Sequence, residues 1–100
     1  MNVLYTATFP ADPERVGRVR SSIEQCLDAS PLAPATHAEV ARAAASLLAL
    51  AGAWADAPGA TVAVRIEATS DAYDVRVDAT RASGATCAFS ARLHGSAPPV

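Results

Sequence analysis

The chain has 100 residues, room for one domain with a modest core. Its net charge is −2, and its eight cationic side chains are all arginine, scattered from Arg15 to Arg92. That distribution lacks the clustered basic face of a nucleic-acid binder, and the absence of lysine removes phosphate-loop and Schiff-base chemistry.

Val3 to Phe9 alternates, with Val3, Tyr5, Ala7 and Phe9 on one side and Leu4, Thr6 and Thr8 on the other. Such alternation predicts a half-buried strand, ended by Pro10. Asp12-Pro13-Glu14 then supplies an N-cap, a first-turn proline and an acid for a first helix. Val16, Val19, Ile23, Cys26 and Leu27 share its apolar side, and Ser30-Pro31 ends it near Ala29. After a short connection, Thr36 and Glu39 form a candidate capping box for a central helix. Val40, Ala43, Ala44, Leu47, Leu50, Ala51 and Trp54 make its expected apolar stripe. Pro58-Gly59 stops this helix.

Beyond it the period changes to two. Val62, Val64, Ile66 and Ala68 form one strand, and Tyr73, Val75, Val77 and Ala79 a second. Cys87, Phe89, Ala91 and Leu93 form a third, with turns at 69–71 and 80–84. The expected fold class is α+β: a two-layer sandwich in the order β-α-α-β-β-β. A mostly antiparallel four-stranded sheet would carry two helices on one face. Residues 1–94 make the domain and 95–100 a flexible tail. Aromatic residues are 5% of the chain, so Tyr5, Phe9, Trp54, Tyr73 and Phe89 are expected as core fixtures.

No stretch approaches the roughly 18 apolar residues of a membrane span, and no signal peptide is visible, so the expected location is the cytoplasm. Cys26 and Cys87 would then be reduced thiols, placed on apolar faces as small hydrophobes. His37 starts the central helix and His94 follows the last strand. Neither has the close spacing to another ligand that a metal site needs.

Phe9-Pro10-Ala11-Asp12-Pro13-Glu14-Arg15-Val16, followed by Arg18-Val19-Arg20, resembles the start of the anti-sigma-factor serine kinases. These are small bacterial members of the histidine-kinase-like (GHKL) ATPase family. Ala38-Glu39-Val40 sits where that family's nucleotide-binding helix begins. Val62 to Ile66 and Tyr73 to Asp78 are similar to its next hairpin. The resemblance covers roughly residues 5–80 and is most specific at the front. Where the family carries a Glu and then a magnesium-holding Asn, this chain has Ala44 and Leu48. The adenine-reading Asp falls near Ala79, and the glycine-rich lid is missing. The only asparagine in the chain is Asn2. The resemblance therefore implies a shortened relative without nucleotide, cofactor or metal.

Two sets of residues are candidate partner contacts. Arg15, Arg18 and Ser22 line one side of the first helix, where they could meet a protein or a phosphate. Ala41, Ala45, Ala49 and Ala53, with Gly52, form a small-residue strip on the back of the central helix. Such a strip admits a second helix, from a partner or a second copy, or serves as plain solvent face. Glu67, Asp74, Asp78, Arg65, Arg76 and Arg92 share the outward sheet face, where cross-strand ion pairs are expected. The functional expectation is a non-catalytic protein-interaction module of a bacterial signalling pathway. Its partner would be a protein such as a sigma-factor regulator, with a homodimer as a further option. The alternatives are a small-ligand protein or enzyme with a site between helices and sheet, and an accessory or dimerisation subunit of a larger complex.

Overall fold

Asp12 opens the first helix by the local chemistry its sequence supplies. Its extended backbone precedes Pro13, and its Oδ1 accepts the Arg15 N–H at 2.9 Å. A computed structural model describes residues 2–29, 34–69 and 71–94 of the chain. The elements are β1 (Asn2–Pro10), α1 (Pro13–Asp28), α2 (Pro34–Trp54), β2 (Thr61–Ala68), β3 (Ala72–Thr80) and β4 (Thr86–His94). The strands form one antiparallel sheet in the order β1-β2-β3-β4. Both helices pack on its apolar face, α1 over β1 and α2 over β2, β3 and β4. The fold is the expected α+β sandwich. The expected tail, residues 95–100, and most of the connection between the helices lie outside the described residues.

The core forms where Val40, Ala44, Leu48, Ala51 and Ala55 of α2 meet Val62, Val64, Ile66, Val75, Val77 and Ala79 of the central strands. Ile23 and Leu27 of α1 close it on the β1 side. Within α2 the buried positions advance mostly by four residues, and this slant corrects the expected stripe. Leu48 is fully buried, whereas Leu50 is 53% exposed and points to solvent. Leu47 and Trp54 flank the stripe and are half-buried. The start of α2 also differs from expectation. The helix begins at Pro34, whose fixed φ suits a first turn, so Thr36 lies inside the helix rather than capping it.

β1 departs from simple alternation. Val3 pairs with Glu67 and Tyr5 with Ile66, so Leu4 is an extra residue, a β-bulge. The bulge resets the side-chain order. Tyr5, Ala7 and Phe9 face the core, Leu4 packs against it too, and Val3 is left 46% exposed. A bulged residue loses its ladder partner. Here the Cys26 thiol donates to the Leu4 carbonyl at 2.9 Å, which ties α1 to the irregular end of β1. Of the five aromatic residues, Phe9 and Tyr73 are buried, while Tyr5, Trp54 and Phe89 are only half-covered.

Leu48→Ala should destabilise the protein by about 2–5 kcal/mol, the range for a leucine deleted from a closed core. Leu50→Ala should change stability by less than about 0.5 kcal/mol. Urea unfolding of the two variants beside the wild type checks both values.

Candidate interaction surfaces

Arg15, Arg18 and Ser22 occupy the exposed side of α1, but each is engaged within the helix. Arg15 Nε lies 3.9 Å from Asp12 Oδ2, and Arg18 Nη2 donates to Glu14 Oε1 at 2.6 Å. Ser22 Oγ donates to the Arg18 carbonyl at 3.0 Å. Glu14 precedes Arg18 by four residues, the better orientation for a helical ion pair. The three side chains therefore do not converge on a common point.

The alanine strip divides into two parts. Ala41 and Ala45 line a crevice against Arg20, Ile23 and Glu24 of α1, with free space of about 10 Å³, no more than one water molecule. The small side chains thus admit α1 itself. Ala49 opens onto a larger groove between the start of α1 and the end of α2, of about 210 Å³. Val16, Leu48, Ala49 and Gly52 give it an apolar lining, and Asp12 and Asp56 bring two carboxylates. This volume is below the range of drug-sized ligand pockets. Arg15, Tyr5, Tyr73 and the histidines line neither opening. Ala53 is exposed.

The outward sheet face is lined by charge and uncovered among the described residues. Its pairing differs from the expectation. Arg65 stands directly opposite Arg76, and Glu67 opposite Asp74, so like charges face each other across β2 and β3. Such pairs are destabilising alone. They are compensated along each strand, Arg65 by Glu67 and Arg76 by Asp78 at 3.0 Å. Among the described residues only Asp74 and Arg92, 3.5 Å apart, make an ion pair across strands. The hydrogen bond and charge of Asp78 raise the Arg76 guanidinium above its ordinary value.

The remaining candidates are scattered. His37 Nδ1 lies 3.2 Å from Asp28 Oδ1, so it links the start of α2 to the end of α1. His94 is exposed at the end of β4. Cys26 and Cys87 are free thiols on α1 and β4, elements that do not touch. Among the described residues no group of three His, Cys, Asp or Glu side chains gathers as a metal site would. No described helix is long and apolar enough to cross a membrane.

One contact had no signal in the local pattern. Arg81, in the turn after β3, lies over the Trp54 ring at 4.1 Å and donates through Nε and Nη2 to the Trp54 carbonyl at 3.1 and 2.8 Å. A helix leaves its last carbonyls without partners. A cation 27 residues away in sequence supplies the donors and shields the half-covered indole. Compared with known protein families, curated proteins and solved structures, the chain matches none.

Arg81→Ala should cost about 1 kcal/mol through the lost stacking and hydrogen bonds, a fall of about 4–8 °C in Tm. Arg81→Lys keeps the charge but not the fork of donors, and should recover only part of the loss. Thermal melting of both variants measures this.

Proposed function

We propose that this protein is a non-catalytic interaction module of a bacterial signalling pathway. On this reading it is a shortened relative of the anti-sigma-factor kinases that no longer holds a nucleotide and acts by binding a protein, such as a regulator of a sigma factor. The observation that carries the proposal is the chemistry at two positions of α2. Ala44 and Leu48 stand where the resemblance would require a Glu and a magnesium-holding Asn. Both are hydrocarbon and both are buried against the sheet. Neither side chain has an atom that could ligate a cation, and no cation would exchange its water for hydrocarbon there.

The groove beside Ala49 is the surface best suited to a partner. Its floor would take one apolar side chain, and Asp12 and Asp56 would favour a flanking cation on the same segment. The exposed edge of α1 with Arg15, Arg18 and Ser22 borders this groove through Val16 and Asp12 and would extend the contact.

A thermal-shift titration with ATP and magnesium tests the first half of the reading, and no saturable stabilisation is expected. Binding at one hundred times Kd would add about 2.7 kcal/mol and would overturn it. The second half is tested by capture from the producing organism with wild-type and Ala49→Arg baits. A specific protein retained by the wild type and lost by the variant supports the groove, and equal retention by both rejects it.

A further inference from the structure

We propose that the protein self-associates through the free edge of β4, as a two-fold dimer in which the two sheets join into one. This inference stands apart from the functional reading above, because it needs no partner of another kind.

The two edges of the sheet are built differently. β1 carries a bulge at Leu4 and ends in Pro10. The Ala11 N–H bonds to the Ala60 carbonyl, so the ladder alternation turns the Pro10 nitrogen towards the open side, where it offers no donor. A bulge and an edge proline are the ordinary means of blocking strand addition. β4 has neither. It runs nine residues, Thr86–His94, in unbroken register with β3, without proline, glycine or lysine.

The phase of β4 follows from its turn. Arg81 N–H donates to the Ala85 carbonyl at 2.8 Å, so Cys87, Phe89, Ala91 and Leu93 bond to β3. The amides and carbonyls of Thr86, Ala88, Ser90, Arg92 and His94 consequently point to the open edge. Among the described residues they are a full row of donors and acceptors without partners.

A two-fold axis through Ser90 satisfies that row completely. Ser90 meets Ser90 of the second copy, Ala88 meets Arg92, and Thr86 meets His94. Every free-edge residue of the strand then pairs with another free-edge residue, which a one-residue shift would prevent. Charge permits this register: the one cation of the row that is always charged, Arg92, faces an alanine, and its own counter-ion is Asp74. On the helix side Phe89 stands opposite Ala91, and Cys87 opposite Leu93, large against small. Those four residues are each only partly buried in one copy. Joining β4 to β1 of another copy would instead meet Pro10 and build an open chain rather than a closed pair.

Ser90 is the only residue that meets itself, so it provides a register-specific test. Sedimentation velocity over a concentration series should show a reversible wild-type dimer. Ser90→Glu, which places a carboxylate near Arg76 within its own sheet, should weaken the dimer several-fold through self-repulsion across the axis. Mixing Ser90→Glu with Ser90→Arg should restore a dimer as a heterodimer. Ala88→Pro removes only an outward N–H and should weaken association about ten-fold or more. Far-UV circular dichroism checks that each variant is folded, and the Ser90 pair decides if Ala88→Pro is not. A monomer at every concentration would overturn the proposal. So would a dimer that survives both Ser90→Glu and Ala88→Pro, or one abolished by Ala53→Arg on the alanine strip while the β4 variants leave it intact.

Discussion

Everything in this molecule depends on covering one apolar sheet face with two helices of unequal reach. Four strands at about 4.8 Å spacing make a surface close to 19 Å wide, and a pair of helices about 10 Å each in diameter barely spans it. α2 lies over β2, β3 and β4, and α1 over β1. The inward residues of β2 and β3 are accordingly sealed, with Val64, Ile66, Val75 and Val77 at or near zero exposure. The inward residues of β4 are not, and Phe89 and Leu93 remain partly exposed. Small side chains on α2 set this geometry. Ala44, Ala51 and Ala55 let the helix approach the sheet, and Ala41 and Ala45 let α1 approach the helix. A close-packed interior leaves little slack, so apolar surface not covered by the pair stays at the rim.

The same economy explains the surface. Because the helices use one side of the sheet, the other side must carry charge. The antiparallel register then sets Arg65 against Arg76 and Glu67 against Asp74. The chain resolves these clashes by spacing opposite charges two residues apart along a strand, Arg65 with Glu67 and Arg76 with Asp78. Such exposed pairs contribute little stability but remove a repulsion. The result is a wet face whose charges are already answered, which contrasts with the backbone row along β4 that no described residue meets.

The surface of this sandwich presents three distinct textures: a shallow apolar groove beside Ala49, a balanced charged face, and, among the described residues, an open strand edge. They lie on different parts of the sandwich, so a regulatory partner in the groove and a second copy on β4 would not compete for the same residues. At Ala44 and Leu48 the side chains that leave no room for a cation are the same ones that pack the core. A leucine buried there strengthens the sandwich, whereas an asparagine at that depth would need a ligand to satisfy it.

Local pattern alone determined much of this protein. The Asp12 cap, the end of α1 at Asp28, the strict alternation of β2 and β3 and the two-layer order of elements all follow from interactions between residues close in sequence. The candidate groove was partly legible, since the small-residue strip through Ala49 marked that side of α2. What the pattern could not decide were relations between distant segments. Leu48 and Leu50 are equally apolar, and only the slant of α2 across the sheet buries one and exposes the other. The bulge at Leu4 exists because β1 must register against β2, some sixty residues later. Arg81 reaches Trp54 because a turn and a helix end are brought side by side. The status of β4 as a free edge, and the phase of its open hydrogen bonds, depend on strand order and ladder parity. Neither is a property of nine residues read alone, because a strand acquires an edge only when its neighbours are placed.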